Sequence, residues 1–404
     1  MIDLADYREL VSQLAEPVST QLLALTMAKG HVLAEPVFAR YPVPPFDNSA
    51  MDGFAVRAAD IASLPVTLPI SGDIPAGHTG EEELPAGSAM RIMTGAPLPP
   101  GADTIVPVEN VENSERHMLR EHLDEVTIVT EVPAGRHVRL AGEDIAAGEL
   151  ALEAGTRLGP EQLSALASIG HGSVTVYRRP VIGILATGSE LVPPGQPLKR
   201  GQVPDSNSLL LRGLIERAGA TAVPMSTRGD DPVAVEQAFS EAADSVDAII
   251  TTGGVSAGAF DVVKEFLTGR GVDFYKVALQ PGKPQGCGRM SLGETTLPVL
   301  CLPGNPVSAF VSMKLFGEAL IGALTGRVRP LPFKEAVAGE SWTCRPGRTQ
   351  LMPARSANGR VYPAISRCSG SHLVYLLSQT EGLIHVPADV TDIKEGDTVE
   401  VWWL

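Results

Sequence analysis

Between residues 181 and 324, short apolar runs alternate with amphipathic stretches. Val181–Ala186 is a continuous apolar run, as expected of a parallel strand that is buried on both faces. Three more runs are predicted as strands, at Thr221–Met225, Ala248–Thr251 and Val299–Leu302. Stretches with helical periodicity predict helices at Ser208–Ala218, Val233–Ala243, Asp261–Leu267 and Val307–Leu324. Strands that alternate with helices in this way predict a doubly wound parallel α/β domain.

The segments on either side follow other patterns. Residues 2–30 have apolar faces typical of helices, interrupted near Pro17, and a further helix is predicted at Glu161–Ser168. Short strands separated by Pro/Gly turns run up to about residue 145, and short alternating strands fill the chain after Pro330. We therefore predict four parts: an N-terminal helical and linker region at 1–47 together with 146–178, a β-rich domain at 48–145, the α/β domain at 179–328, and a C-terminal β-barrel-like domain at 329–404.

Composition and charge narrow the range of functions. The chain has 404 residues, of which 47 are acidic and 32 basic, so its formal net charge is −15. We expect neither nucleic acid nor a membrane as partner, because binding to either needs a basic face. No stretch approaches the ~20 apolar residues of a membrane span, and the first ten residues lack the basic region of a signal peptide. Four cysteines without a CxxC pair fit free thiols, so we predict a cytoplasmic protein.

Three of the predicted strands end in turns of small residues. The candidate ligand-binding residues in these turns are Thr187, Gly188 and Ser189; Gly253, Gly254, Ser256 and Gly258; and Pro303, Gly304, Asn305 and Pro306. The carboxyl ends of parallel strands share one edge, so the turns should meet in one crevice. Backbone N–H groups and helix N-termini there would favour phosphate or another oxyanion. Tight turns also need glycine for their own geometry, and none of these matches GxGxxG, GxxxxGK[ST] or GxSxG.

Carboxylates are expected at the same edge. Glu190 ends the first turn, Asp230 and Asp231 follow the second predicted strand, and Asp261 begins a predicted helix. Mg²⁺ binds through one or two carboxylates together with phosphate oxygens, so Glu190, Asp230 and Asp261 are candidate metal ligands. Helix capping is the alternative for Asp231 and Asp261. Lys283, in the loop QPGKP, is the candidate cation for an oxyanion.

Seven separate segments carry a family resemblance. They are FDNSAMDGFAV, RIMTGAPLPPGAD, GEDIAAG, ATGSEL, TTGGVSAGAFD, PGKP and LPGNPVSAF. In this order they resemble the signature segments of the MoeA family, the molybdopterin molybdenumtransferases, a group that includes the gephyrin E domain. Several motifs in the right order over nearly the whole chain are more specific than any single glycine-rich turn.

The resemblance implies an enzyme of molybdenum cofactor biosynthesis. Such enzymes take adenylylated molybdopterin and molybdate as substrates, cleave the pyrophosphate link with Mg²⁺, release AMP and leave molybdenum on the dithiolene sulfurs. The α/β domain would be MogA-like. The protein would be an elongated homodimer, with each site between the α/β domain of one subunit and the β-rich domain of the other. Other molybdenum cofactor biosynthesis proteins are further candidate partners.

The resemblance also assigns residues to the site. Asp52, Thr94 and Asp144 match residues that reach the active site from the partner subunit. The resemblance places Glu190, Asp230 and Asp261 among the active-site carboxylates. The residues that it implies for the molybdate pocket or for binding the cofactor substrate are Lys276, Lys283, Pro284, Ser308 and Ser371.

Two positions depart from the family pattern. The family commonly has KPGKP where this chain has Gln280, and many members have an arginine where this chain has Pro353, five residues after Gly347-Arg348. Arg348 or Arg355 could compensate, molybdate binding could be weaker, or this copy could have another role. The alternative functions are a gephyrin-like dimeric scaffold for a peptide partner and, from the α/β turns alone, a sugar- or nucleotide-binding enzyme.

Overall fold

A six-stranded sheet between residues 181 and 302 forms the centre of the fold. The computed structural model describes residues 1–115, 124–225, 231–255, 262–327, 330–364 and 370–404. The strands lie in the order Thr221–Pro224, Val181–Ala186, Ala248–Thr252, Thr295–Leu302, Pro284–Leu292 and Val272–Lys276. The first four are parallel, which confirms the predicted α/β fold class.

The two remaining strands are absent from the sequence prediction, and both of their pairings are antiparallel. Pro284–Leu292 forms a hairpin with Thr295–Leu302, and Val272–Lys276 pairs with its outer edge. Two glycines conceal the period-2 pattern of Pro284–Leu292. A Cβ at Gly288 would lie 2.0 Å from the carbonyl oxygen of Gly271, so the close approach of the two strands requires glycine there. The connection between the two antiparallel strands contains the loop QPGKP.

Alternate residues of the parallel strands face opposite sides of the sheet. Ile250 packs towards the helices Asn207–Ala218 and Pro306–Leu324. Ile249 packs towards the helices Pro232–Ala242 and Val262–Leu267 on the other side. With helices on both faces, both sets of side chains are buried, which explains the continuous apolar runs in the sequence.

The helix Pro306–Leu324 is the core helix of this domain. It has 19 residues and a mean hydropathy of 1.5, so it is long and apolar enough to cross a membrane by length and composition alone, contrary to our expectation from the sequence. It is 94% buried inside the protein, where it packs on the sheet. Its α-helical parts, Pro306–Ser312 and Glu318–Leu324, are joined by a π-helical turn at Met313–Gly317.

The prediction of helix over residues 2–30 is wrong beyond Ser12. The helix Leu4–Ser12 begins at the N-cap Asp3, whose carboxylate accepts the Ala5 N–H at 2.8 Å, and it buries Tyr7 against the α/β domain. Thr20–Ala24 is instead a strand, paired antiparallel with Ser173–Tyr177. A long-range partner strand overrides the helical propensity of the leucines in this segment.

The N-terminal segment and residues 150–177 share one hydrophobic cluster. Val37–Phe38 pairs with Leu150–Leu152, and the predicted helix at Glu161–Ser168 is confirmed as Pro160–Ser168. A 3₁₀ turn lies at Leu25–Met27. The long insertion between residues 39 and 150 forms a separate sheet.

That inserted sheet has five strands. Their order is Thr104–Pro107, Gly53–Val56, Ala89–Ile92, Val66–Ile74 and Glu125–Ile128, with 3₁₀ turns at Ala58–Ile61 and Val108–Asn110. Beside it, Asn48–Ser49 pairs with Val138–Arg139. The sheet buries its own core, which includes Phe54 and Ile128.

The C-terminal domain is a second six-stranded sheet. Its path is Leu279–Gln280, Thr349–Ala357, Gly382–Val386, Thr398–Trp403 and Phe333–Val337, with Arg360–Pro363 beside the second strand. A pair of short strands, Trp342–Thr343 and Asp392–Ile393, and a short helix, Val374–Leu377, complete the described part. The first strand of this sheet comes from the α/β domain and is parallel to Thr349–Gln350. The loop QPGKP is therefore fixed between the two domains.

Candidate active site

Turns after three parallel strands open into one cleft of about 840 Å³. Its lining includes the predicted residues Thr187, Gly188, Ser189, Glu190, Gly253, Gly254, Pro303, Gly304, Asn305 and Pro306. The predicted Ser256 and Gly258 lie outside the described residues. The turns therefore meet at the carboxyl edge of the sheet, as the parallel topology predicts.

Glycines let the three turns approach one another at backbone distance. Gly253 has φ +87°, and a Cβ there would lie 3.0 Å from the carbonyl oxygen of Thr187. A Cβ at Gly304 would lie 3.3 Å from the Cα atom of Gly253. The Gly253 N–H donates to the Leu302 carbonyl at 3.1 Å, which links the second turn to the third strand. Side chains at these positions would separate the turns and fill the cleft.

Asn207 joins two of the turns and was not singled out by the sequence. Its Nδ2 donates to Thr252 Oγ1 at 3.0 Å and to the Gly304 carbonyl at 2.7 Å. Its Oδ1 is buried without a hydrogen-bond partner, although the residue lines the cleft. A buried amide oxygen of this kind is a candidate acceptor for a ligand N–H or O–H group.

Two described carboxylates line the cleft, Glu190 and Asp205. The Glu190 carboxylate folds over Gly188, where a Cβ would lie 2.5 Å from Glu190 Oε2. Asp205 accepts the Ser208 N–H at 3.0 Å, near the start of the helix Asn207–Ala218. The predicted Asp230 and Asp261 lie outside the described residues, within which there is no group of three or more potential metal-ligating side chains.

Asp231 caps a helix, which was the alternative to a metal-binding role for this residue. Its Oδ1 accepts the Ala234 N–H at 2.9 Å as the N-cap of the helix Pro232–Ala242. The Asp-Pro pair at 231–232 is a regular start for a helix, because proline at the first position has no N–H to satisfy.

A second, smaller pocket of about 270 Å³ adjoins the cleft and shares Pro284 and Asn305 with it. The predicted Lys283, Ser308 and Ser371 line this pocket. Asn305 Nδ2 donates to Ser371 Oγ at 3.2 Å, and the Val307 N–H donates to the Ser371 carbonyl at 3.0 Å. The C-terminal domain is thereby attached to the third turn.

The smaller pocket has a cationic lining. Lys283 and Arg348 are half-buried in it, and neither forms an ion pair with a described residue. Its described lining contains amide and hydroxyl groups but no carboxylate. Two cations without an ion-pair partner in the described part of the chain, with several donors around a small volume, are suited to a small oxyanion.

A buried network supports the loop that carries Lys283. Gln285 is 0% exposed, and its Nε2 donates to the Gly282 carbonyl at 2.7 Å and to Ser312 Oγ at 2.6 Å. Gly282 has φ +112°, which favours glycine, and the Lys283 carbonyl accepts the Val277 N–H at 2.8 Å. The core helix therefore holds the loop in place through Ser312.

Comparisons with known proteins agree along the chain. Residues 2–170 match the MoeA N-terminal region (domain I and II), 183–323 a probable molybdopterin binding domain, and 335–404 the MoeA C-terminal region (domain IV). A Mycobacterium tuberculosis protein named molybdopterin molybdenumtransferase 2 is 37% identical, covering 100% of this chain and 99% of the relative. The chain belongs to the MoeA family. This confirms the resemblance predicted from the sequence.

Two further relatives extend the likeness. The Haemophilus influenzae molybdopterin molybdenumtransferase is 34% identical over 97% of this chain and 96% of its own length. A crystal structure of a molybdopterin biosynthesis MoeA protein from Pyrococcus horikoshii aligns over the full length of both chains with a TM-score of 0.83 at 25% identity. The domain arrangement is thus that of a MoeA protein.

Both departures from the MoeA pattern, Gln280 and Pro353, line the smaller pocket. Arg348 lies in the same lining, so it is placed to compensate for a lost charge. The other candidate, Arg355, instead stacks over the ring of Tyr362, with its guanidinium carbon 5.4 Å from the ring centroid. Arg355 is not part of the pocket lining.

The predicted residues of the N-terminal MoeA motifs lie outside the cleft and the smaller pocket. Asp52 Oδ1 accepts the Thr94 N–H at 2.6 Å and the Thr94 hydroxyl at 2.7 Å, so these two residues form one exposed unit. Asp144 is exposed and its N–H donates to the Val43 carbonyl at 3.0 Å. None of the three lines the cleft or the pocket of its own chain, and neither does the exposed Lys276.

Proposed function

We propose that this chain transfers molybdenum to molybdopterin in the cleft and the adjoining pocket. The observation that carries the proposal is that the two cavities share Pro284 and Asn305, so a phosphate-bearing substrate and a small oxyanion would bind side by side. Full-length relatives at 34–37% identity are molybdopterin molybdenumtransferases by name, which supports the predicted enzyme of molybdenum cofactor biosynthesis. They do not favour the peptide-binding scaffold.

The cleft would hold adenylylated molybdopterin. The open space above the glycine turns and the partial positive charge at the N-terminus of the core helix suit its phosphates. The buried Oδ1 of Asn207 would accept a hydrogen bond from the substrate. Cleaving the pyrophosphate link breaks one P–O bond, and a water oxygen adds to phosphorus as AMP leaves.

The smaller pocket would hold molybdate between Lys283 and Arg348. Condensation of molybdate with two thiols forms two Mo–S bonds, breaks one Mo–O bond and releases one water, and molybdenum keeps its oxidation state. The side chains of Ser308 and Ser371 can donate to the oxygens that remain. The pocket thus has to position the oxyanion at the mouth of the cleft.

Glu190 and Asp205 fit Mg²⁺ as the resident metal. Both carboxylates line the phosphate cleft, and glycine at 188 leaves room for the Glu190 carboxylate to fold over the turn. Mg²⁺ in proteins uses one or two carboxylates and takes its other ligands from water and phosphate. When bound, it would neutralise charge on the pyrophosphate of the substrate.

A homodimer would complete the site. Asp52 and Thr94 form an exposed unit on the β-rich domain that lines neither the cleft nor the smaller pocket of the described chain. Tyr41, Phe46 and Leu140 near the same motifs are 60%, 45% and 58% exposed, so a second subunit that covers them would bury apolar surface. We place the reaction in the cytoplasm, where thiols such as those of molybdopterin stay reduced.

The test uses purified protein with adenylylated molybdopterin, Mg²⁺ and molybdate, and measures AMP and molybdenum-loaded product. Glu190→Gln should lower AMP release by at least tenfold, whereas Glu161→Gln, on an exposed helix elsewhere, should leave it unchanged. Absence of AMP release by the wild-type protein at every molybdate concentration would support the scaffold instead.

Subunit mixing tests the dimer. Asp52→Asn and Glu190→Gln chains are each expected to be inactive, and mixed dimers should recover up to half of the wild-type activity, because one of their two sites would be intact. No recovery in dimers of verified mixed composition would mean that Asp52 acts within its own chain.

A further inference from the structure

One wall of the cleft comes from the C-terminal domain. Of the described lining residues, only His372 and Val374 lie outside the α/β domain, and the sequence singled out neither of them. His372 directly follows Ser371, which lines the smaller pocket, so it lies at the border between the two cavities. The C-terminal domain therefore adds an imidazole to the proposed phosphate site.

The backbone that carries His372 is fixed on both sides. Before it, the Ser371 carbonyl accepts the Val307 N–H at 3.0 Å, and Ser371 Oγ accepts a hydrogen bond from Asn305 Nδ2 at 3.2 Å. After it, the Val374 N–H donates to the His372 carbonyl at 2.9 Å, and the short C-terminal helix begins. The neighbours of His372 therefore attach it to the start of the core helix, and its own side chain is not needed for this attachment.

The side chain of His372 is available to a ligand. It is exposed, and its ring forms no hydrogen bond, ion pair or ring contact with another described residue. Other histidines have structural partners: His171 Nε2 lies 2.9 Å from the Phe38 carbonyl oxygen, and His385 Nδ1 lies 2.7 Å from Glu400 Oε2. An anchored backbone that presents such a ring at a cavity wall suits a ligand contact better than a structural role.

The charges of the two cavities indicate what this ligand group is. The described lining of the cleft contains the carboxylates Glu190 and Asp205 but no lysine or arginine, whereas Lys283 and Arg348 line the smaller pocket. His372 is thus the one side chain in the described lining of the cleft that can become a cation. An imidazole changes its charge near neutral pH, so an adjacent phosphate favours its protonated form, and the resulting charged hydrogen bond is stronger than a neutral one.

We propose that His372 binds the pyrophosphate link of the substrate by donating a hydrogen bond to one of its phosphate oxygens. This inference rests on the proposed function, and it assigns a substrate contact in the cleft to the C-terminal domain. Negative charge builds up on the leaving phosphate as the P–O bond breaks. A hydrogen bond from imidazolium strengthens with that charge, so His372 contributes to the rate as well as to binding.

The experiment is calorimetric titration of the full-length protein with ADP and Mg²⁺, because ADP carries adenosine on a pyrophosphate link. His372→Ala should weaken ADP binding about tenfold, and His372→Lys, which keeps a cationic donor, should stay within about threefold of the wild type. Gln379→Ala is the matched control, since Gln379 is exposed seven residues further on and lines neither cavity. All three variants should keep the wild-type Tm, because both positions are exposed. Arg348→Ala identifies any ADP in the smaller pocket.

Weaker ADP binding in His372→Ala, with recovery in His372→Lys and no change in Gln379→Ala, supports the proposal. Equal affinity of His372→Ala and the wild type would overturn it, as would a His372→Lys protein that binds no better than His372→Ala. ADP binding that is lost only in Arg348→Ala, or no binding by the wild type at millimolar ADP, would also overturn it. If ADP binding depends on His372 but the wild type releases no AMP from adenylylated molybdopterin, the proposed reaction fails and the phosphate contact stands.

Discussion

Gln285→Leu should test whether the buried support of the loop QPGKP positions Lys283, without changing Lys283 itself. Gln285 touches neither cavity, yet its side-chain amide joins the Gly282 carbonyl and Ser312 Oγ in a fully buried position. Leucine has a similar volume, so the substitution removes both hydrogen bonds without opening a large cavity. Gly282 precedes Lys283, so the loss should release the loop that presents the lysine ammonium group.

The structure sets the size of the effect. Each hydrogen bond lost contributes about 1 kcal/mol, and a buried partner left unsatisfied costs about 1–3 kcal/mol. The Gly282 carbonyl and the Ser312 hydroxyl are both affected, while removal of the already unsatisfied Gln285 Oε1 returns part of the cost. We expect the free energy of unfolding to fall by about 2–3 kcal/mol. If Lys283 loses its position, half-saturation by molybdate should require about five- to tenfold more molybdate.

Two measurements test this: denaturant unfolding, and AMP release as a function of molybdate concentration. Thr325→Val is the matched control, because its buried hydroxyl donates to the Ile321 carbonyl at 3.0 Å away from both catalytic cavities. It should lower stability without moving the molybdate dependence.

A double-mutant cycle with Ser312→Ala then isolates the Gln285–Ser312 bond. In the double variant the Ser312 hydroxyl is already gone. The loss in the free energy of unfolding should therefore be smaller than the sum of the two single losses by about 1 kcal/mol. An unchanged molybdate dependence in a folded Gln285→Leu protein would refute the positioning role. Additive stability effects would refute the coupling through Ser312.

Two further changes test other features of the site. Gln280→Lys adds a third cation to the smaller pocket and should lower the molybdate concentration for half-saturation about tenfold. The control Gln379→Lys, at an exposed position, should leave that concentration unchanged. Equal responses of the two variants would mean that Gln280 does not face the oxyanion. Burial raises the pKa of the Cys287 thiol to about 11 from 9.0, so the folded thiol should resist alkylation at pH 8. Between these two pKa values only the unfolded thiol loses its proton. The free energy of unfolding should therefore be constant below pH 9 and fall as the pH rises towards 11. Unfolding curves from pH 7 to 10.5 for the wild type and Cys287→Ala measure this, and the same pH slope in both would show that Cys287 does not contribute.

The sequence predicts the parallel part of the α/β domain well, because that part is governed by local pattern. Val181–Ala186 has four buried residues in succession, so it is buried on both faces and its sequence is an uninterrupted apolar run. The strand Pro284–Leu292 is missed because Gly286 and Gly288 are required by contacts with neighbouring strands, which no local pattern encodes. Thr20–Ala24 is predicted as helix for the same reason: its state depends on a partner about 150 residues later.

The residues of the candidate site are also only partly predictable from the sequence. The turn residues follow from topology, because parallel strands bring their carboxyl ends together. Asn207 and Asp205 are missed, although the Asp-Ser-Asn sequence before a predicted helix is a start signal that could have drawn attention to them. Gln285 could not be found from sequence, since its two partners, at Gly282 and in the core helix at Ser312, meet it only in the folded protein.

The net charge of −15 has a smaller effect on substrate capture than its size suggests. At physiological ionic strength, charges beyond about 8 Å are largely screened, so the lining of each pocket decides the affinity for an anion. The described lining of the smaller pocket has Lys283 and Arg348 without a carboxylate. Because the smaller pocket relies on two cations and on neutral Gln280 where MoeA proteins commonly have lysine, its selectivity should depend more on fixed donors such as Ser308 and Ser371. Such donors keep their strength at high salt, so the positions of the lining groups should matter more here than the overall field of the protein.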